Sequence, residues 1–291
     1  MNKFTKLGLF AILLATVVFS SCKKEYDTAQ TVDDAAIQTY LKHNNLNFTK
    51  DPTKGYYYKI TTQGTGSAVA NQDSVYYTYT FKTLSGQVLK QISDLTILGT
   101  YLGYTDQFAI NSNTVNYVFA PVREVLSKLN RGGKATLIMP SHLAFGKNGL
   151  SALNIASNEN IIVDLVMYSE SKRHEIDELE INKFIENNNL TLIKDPSRAR
   201  YSIITPGTGT DAINLTSTIV ANYTVRYLDG TVLQTSTDGS FSSVLSDLYK
   251  GWQIILPGKV TAGGKLRLVI PSDLANGRPL DFDIEIVKVT N

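Results

Sequence analysis

Cysteine, tryptophan and histidine are nearly missing from this 291-residue chain, which has one, one and three of them. With Cys22 alone no intramolecular disulfide can form, so stability has to come from packing. His43, His142 and His174 stand far apart, none at metal-ligand spacing from another His or Cys, and no metal site is expected. Charge of either sign is scarce too: charged residues make up 19%, below the roughly 25% usual in soluble proteins. Of the 28 Lys and Arg, Lys3 and Lys6 fall in the first 21 residues, where there is no acid, and the remaining 26 match the 26 Asp and Glu. A neutral chain carries no electrostatic footprint for nucleic acid, and no such partner is expected. No GxSxG element marks a serine nucleophile. The GTG at residues 64–66 and 207–209 lacks the third glycine and following helix of a dinucleotide loop, so it reads as a turn. Asp281, Asp283 and Glu285 alternate as the solvated face of a strand rather than as paired catalytic acids.

Long apolar runs are absent as well. The most apolar stretch, residues 7–19, falls short of the roughly 20 residues that span a bilayer and follows a basic start at Lys3 and Lys6, the pattern of a signal peptide over residues 1–21. Phe19, Ser20, Ser21 and Cys22 then resemble a bacterial lipobox, in which small residues precede a cysteine that is acylated and becomes the mature N-terminus. Residues 22–36, polar and rich in Asp, Thr and Ala, read as a flexible tether. The expectation is a lipoprotein of a bacterial cell envelope, held at a membrane, the outer one, through Cys22, because several acyl chains anchor stably where one does not.

What the chain does have is 43% hydrophobic residues and 16 tyrosines, enough for a sizeable, strand-rich core in about two domains. An internal repeat makes this concrete. IQTYLKHNNLNFTKDPTKGYYYKITTQGTG from Ile37 matches INKFIENNNLTLIKDPSRARYSIITPGTG from Ile181; YTYTFKTLSG ending at Gly86 matches ANYTVRYLDG ending at Gly230; GGKATLIMPSHLA from Gly132 matches GGKLRLVIPSDLA from Gly263. The chain is two copies of one unit.

Each copy runs through the same periodicities. Ile37, Tyr40 and Leu41, like Ile181, Phe184 and Ile185, follow the spacing of an apolar helical stripe, and Pro52 and Pro196 end each leading helix. In the linker, SKRHEIDELE reads as a charged helix start. Strands follow: Ile219, Ala221, Tyr223, Val225 and Tyr227 alternate up to a turn at Asp229 and Gly230, then Leu266, Leu268 and Ile270, and finally Phe282, Ile284 and Ile286. A short helix is expected near residues 122–129. The fold class is α+β, with an antiparallel sheet dominating each copy.

The ordered blocks GTG, a tyrosine strand, a glycine turn, GGKATLIMPSHLAFG and the final LDFDIEI strand resemble FKBP-type peptidyl-prolyl cis-trans isomerases, over residues 56–169 and 199–289. The resemblance implies two FKBP-like domains, at residues 37–169 and 170–291. Each would be a bent antiparallel β-sheet wrapped around a short helix, with a leading helix before it and a prolyl pocket between sheet and helix. It implies a chemistry with no nucleophile, metal, redox group or other cofactor, acting on unfolded or proline-containing polypeptide segments.

Carried onto this chain, the resemblance assigns the first copy's catalytic wall to Tyr79, Phe119, Phe145 and Ile155: the pocket tyrosine, a residue whose backbone holds substrate, the ring of the AYG element and the apolar tip of the flap. Val118 joins Phe119 in the substrate-holding pair. Leu89 and Lys90 replace the family's Phe-Asp pair, Val122 its floor tryptophan and Val163 a wall phenylalanine, so Leu89, Val118, Val122 and Val163 complete the expected pocket. Phe145 lacks the hydroxyl that family members offer to substrate. Residues 91–117 include an insertion carrying Tyr101, Tyr104 and Phe108. The second copy keeps Tyr223, Trp252 and Phe282, but Leu233 and Gln234 replace the Phe-Asp pair, Asn276 replaces the AYG tyrosine, and only Arg278 and Pro279 remain between Gly277 and Leu280. It reads as an inactive remnant, with Trp252 as core. Two functions stand: an isomerase assisting the folding of envelope proteins, with activity in the first copy, or a catalytically degenerate tandem that acts as a chaperone or binding module.

Overall fold

The computed structural model describes residues 28–109 and 116–291. The expected signal peptide, Cys22 and the tether as far as residue 27 lie outside them. The first copy contains helix α1 (Ala29–His43), strands β1 (Thr49–Lys50), β2 (Tyr57–Thr62), β3 (Ser74–Thr83), β4 (Val88–Gln91), β5 (Leu98–Tyr101), β6 (Gln107–Ala109) and β7 (Asn116–Val118), helix α2 (Ala120–Leu126), and strands β8 (Lys134–Met139) and β9 (Ile161–Met167). The second repeats the plan with α3 (Arg173–Asn187), β10 (Ile193–Lys194), β11 (Arg200–Thr205), β12 (Thr218–Tyr227), β13 (Val232–Ser236), β14 (Ser242–Val244), α4 (Lys250–Ile255), β15 (Lys265–Ile270) and β16 (Leu280–Thr290).

Both sheets have the same order: β1-β2-β8-β9-β3-β4 with β5 beside β3, and β10-β11-β15-β16-β12-β13 with β14 beside β12. Every pairing is antiparallel, and the registers correspond. Phe81 pairs with Val163 and Val163 with Leu137, as Val225 pairs with Phe282 and Phe282 with Leu268. The α+β class and the repeated sheet-and-helix plan are as expected. The GTG turns need their glycines: Gly207 has φ +94°, and a Cβ there would sit 2.6 Å from the Thr261 carbonyl oxygen. The short helix α2 starts two residues before the expected span because Pro121 takes its first turn, where a missing N–H costs nothing.

One face of each sheet closes on the short helix and the other on the leading helix. Ile37 and Leu41 of α1 pack on Tyr57, Ile138 and Ile162, and Ile181 and Phe184 of α3 on Leu228 and Val269. The two leading helices are pinned by the same buried device. Asp33 Oδ2 accepts the Ser141 hydroxyl at 2.8 Å, and Asp177 Oδ2 accepts the Ser272 hydroxyl at 2.6 Å and its N–H at 3.0 Å. Asp33 explains a correction to the tether. Helix α1 begins at Ala29, capped by the Thr28 side chain accepting from Thr31 N–H, so residues 29–36 are docked helix rather than spacer. A second correction concerns Asp281. Alternation places it with Asp283 and Glu285 on a wet face, yet it is fully buried, accepting from Arg226 Nε at 2.7 Å and from both Nε and Nη2 of Arg267 at 2.9 Å. The covering helix is the reason, since the Arg267 guanidinium lies 5.5 Å from the Phe184 ring of α3.

Helix α3 also joins the copies. Its Ile176 packs with Tyr76 and Ile97 of the first copy, while Leu95 reaches the cluster of Ile181, Phe184 and Leu228. Glu180 accepts the Ile97 N–H at 2.6 Å and pairs with Arg173, which also bonds Asp177. Burial pushes the Glu180 carboxyl up to about 7, with Arg173 opposing. Among the described residues no helix is long and apolar enough to cross a membrane.

Candidate functional site

In the first copy the four expected wall residues do come together, but they close on one another. Tyr79, Phe119, Phe145 and Ile155 are all buried within a single cluster that also takes in Val122 and Val163. The Phe119 ring sits among four others, with centroids 5.1 Å from Phe108, 5.2 Å from Phe145, 5.8 Å from Phe81 and 6.0 Å from Tyr117. Phe108, from the insertion, meets Tyr79 edge-on at 5.0 Å. Burial pushes the Tyr79 phenol up to about 12. The flap is closed as well. Leu150 and Ile155 exchange backbone hydrogen bonds of 2.9 and 3.0 Å, drawing Leu150, Leu153 and Ile155 down onto the core.

Among the described residues, the space where a dry open cleft is expected in the first copy is therefore occupied by the chain's own rings. Val122 is small for a floor, and the space above it belongs to one close-packed cluster with Phe119 and its neighbouring rings. The backbone donor expected to hold substrate is also engaged, because Phe119 N–H bonds the Asp106 carbonyl at 2.7 Å. Val118, its neighbour, is 62% exposed on β7, and Leu89 lies half-buried at the edge of the core. In the insertion, Tyr101 and Tyr104 stay in solvent while Phe108 is inside.

The second copy is open. A cleft of about 330 Å³ is lined by Tyr223 and Val225 of β12, Gln234 of β13, Phe241, Tyr249, Trp252 of α4, Phe282 of β16 and Asn276, among others. Such a volume suits a small apolar side chain with its flanking backbone. Trp252 is buried, and rings stand edge-on around its indole, Tyr223 at 5.7 Å and 90° and Phe282 at 5.7 Å and 81°. Phe241 meets Tyr223 at 4.8 Å and Tyr249 meets Phe282 at 5.5 Å. Edge-to-face contacts hold these rings as walls around a floor rather than as a stack. The reading of Trp252 as core is half the truth: it is buried from one side and floors the cleft on the other.

Sequence reading missed Phe241 and Tyr249. Tyr249 had a signal, since it stands three residues before Trp252 as Phe119 stands three before Val122. Both open the same turn, with Trp252 N–H bonding Tyr249 O at 2.9 Å and Val122 N–H bonding Phe119 O at 2.8 Å. Unlike Phe119 N–H, the Tyr249 N–H has no acceptor among the described residues. The indole N–H of Trp252 is likewise buried without a partner. Burial and the neighbouring Tyr249 raise the Tyr223 phenol above its ordinary value, so it remains a neutral donor. The site thus offers apolar walls, an indole floor and the unpaired Tyr249 N–H, with the half-buried Tyr249 and exposed Asn276 and Gln234 at its mouth.

No family model matches the chain. A stretch of 110 residues, 33% of the chain, is 30% identical to the macrophage infectivity potentiator of Trypanosoma cruzi and covers 56% of that protein, little more than half its length. Among solved structures the chain is similar to FkpA from Escherichia coli, at 19% identity, covering 58% of this chain and 72% of that one, with a TM-score of 0.37. It is similar also to the three FKBP domains of wheat FKBP73, at 14% identity, 82% and 96% coverage and a TM-score of 0.32. A third likeness is a peptidyl-prolyl cis-trans isomerase from Pseudomonas syringae pv. tomato, at 18% identity, 50% and 98% coverage and a TM-score of 0.37.

Proposed function

We propose that this protein is an FKBP-type peptidyl-prolyl cis-trans isomerase whose working cleft lies in the second copy, the first serving as a folded partner. The observation that carries the reading is the cleft floored by Trp252, open where the equivalent space of the first copy is filled by Phe119. Rotating a peptide bond is opposed by about 18–20 kcal/mol of amide resonance. The twisted amide has lost that resonance and its charge separation, so an apolar cup favours it over the planar ground state. In this reading a proline ring seats in the cleft that Tyr223, Trp252 and Phe282 line. The Tyr249 N–H then supplies a donor for a carbonyl of the same segment, fixing the chain on one side of the bond while the other side turns.

The replacements bear on rate. Asn276 stands where the family resemblance calls for a tyrosine hydroxyl, and residues 276–279 leave the cleft without a long flap, so water reaches a bound proline. These two features favour slow turnover and lend support to the second reading, a chaperone-like module that holds unfolded segments. A protease-coupled assay on a short X-Pro peptide separates them. The full chain should exceed the uncatalysed rate, Trp252→Ala should abolish that excess, and Phe145→Ala should keep it. A chain no faster than buffer that still suppresses aggregation of an unfolded client would establish holding without turnover.

The setting belongs to the same proposal. Lys3, Lys6, the apolar residues 7–19 and the lipobox-like residues before Cys22 support a lipid-anchored protein of the cell envelope, at the outer membrane, working on envelope polypeptides. Cys22→Ala should move the protein from the membrane to the soluble fraction.

A further inference from the structure

A second concavity, of about 430 Å³, lies between the copies. The first copy contributes Tyr76 and the strand β5, helix α3 contributes Arg173 and Glu180, and the second copy contributes Tyr227 and residues 277–279. Two features tie this cavity to the cleft. The first is the strand β12. Tyr223 and Val225 line the cleft, and Tyr227, two residues on and therefore on the same strand face, lines the cavity. The second is the shortened connection. Asn276 borders the cleft, whereas Gly277, Arg278 and Pro279 border the cavity, with the Arg278 guanidinium 5.4 Å from the Tyr227 ring. In the first copy the same connection, residues 146–160, folds back as a flap that carries Ile155 onto the core. Here only a few residues separate the two spaces.

The chemistry of the cavity wall indicates what fills it. Strand β5 is hydrogen-bonded along one edge to β3, from Ser74↔Tyr101 to Tyr77↔Leu98. Just before it, the Ile97 N–H and C=O are taken by Glu180 and Arg173, which close the edge at that end. From Leu98 to Tyr101 the outer edge has no strand partner among the described residues. An unpaired edge of backbone donors and acceptors is matched by another extended chain.

We propose that cleft and cavity form one site for an extended polypeptide. A proline seats on Trp252, and the flanking residues cross Tyr227 and Arg278 to lie, extended, along β5 of the first copy. This rests on the prolyl reading of the cleft and goes beyond it. The substrate is an extended, unfolded segment rather than an isolated X-Pro pair, and the plugged first copy contributes a binding edge.

Trp252 is the sole tryptophan, so its emission reports on the cleft directly. The test titrates the full chain with an X-Pro tetrapeptide and with a dodecapeptide carrying the same proline. The dodecapeptide should bind about tenfold more tightly. Tyr101→Ala and Arg278→Ala, both at exposed side chains, should each remove about fivefold of that gain and leave tetrapeptide affinity within about twofold. Equal affinity of the two peptides for the unaltered chain overturns the proposal, and so does a variant that weakens both peptides alike. If neither peptide perturbs Trp252, the prolyl cleft itself fails, an outcome distinct from a cleft that binds both lengths equally.

Discussion

The two copies place aromatic bulk at different positions of the same frame. In the first, Phe81, Phe119 and Phe145 crowd over the small Val122 and Val163; in the second, Trp252 and Phe282 occupy floor and wall while Val225, Tyr249 and Asn276 stand at the crowded positions. Both arrangements bury rings edge-on, and both keep the strand order and the leading-helix latch. The first copy fills the pocket with the rings of Phe81 and Phe145, whereas the second has Val225 and Asn276 in their places and opens a cleft. Retaining a fold therefore says little about retaining a site.

The largest effect that would break this comparison is expected at Phe119. Phe119→Ala should cost about 3–5 kcal/mol of stability, the usual penalty for emptying a fully packed ring site, while prolyl turnover stays near that of the unaltered chain. Chemical denaturation beside a peptide assay measures both. A stable variant with lost turnover would return the active cleft to the first copy.

The contact between copies predicts a pH dependence. Burial raises the folded-state Glu180 carboxyl from its ordinary 4.5 to about 7, so the folded chain holds a proton there that the unfolded chain has released. Its contribution to stability is full below the ordinary value and is lost as pH climbs from about 4.5 through 7. Denaturation midpoints across that window should fall with rising pH, and Glu180→Gln should flatten the slope. An unchanged slope in the variant would place the proton elsewhere.

The smallest effect sharpens the chemistry. Asn276→Tyr, at an exposed position where the first copy has Phe145, should raise turnover by about twofold to tenfold, in line with one neutral hydrogen bond of about 0.5–1.5 kcal/mol. An unchanged or lower rate would mean that the mouth of the cleft holds no substrate carbonyl.

Much of this was legible in the sequence, and the exceptions share a cause. Period-two alternation marked β12, β15 and β16, the i, i+3, i+4 stripe marked both leading helices, and the repeat marked the shared plan, because each is a pattern along one element. The open copy could not be found that way. Whether Phe119 plugs a pocket depends on Val122 one helical turn away, Phe81 on β3 and Phe108 from the insertion, residues joined only in space. Asp281 shows the same limit, since alternation identifies a face and α3 decides whether that face is wet. The first two turns of helix α1 carry few apolar residues, so the stripe starts only at Ile37, and what docks those turns is the buried Asp33 on Ser141.

The central claim is that a proline-bearing chain enters the second copy and not the first. Backbone amide shifts of the isotope-labelled full chain, recorded as an X-Pro peptide is added, test it most directly. The account predicts movement at Tyr223, Tyr249, Trp252 and Asn276, with Tyr79, Phe119, Phe145 and Ile155 unmoved. Shifts centred on the latter four, with Trp252 silent, would contradict it.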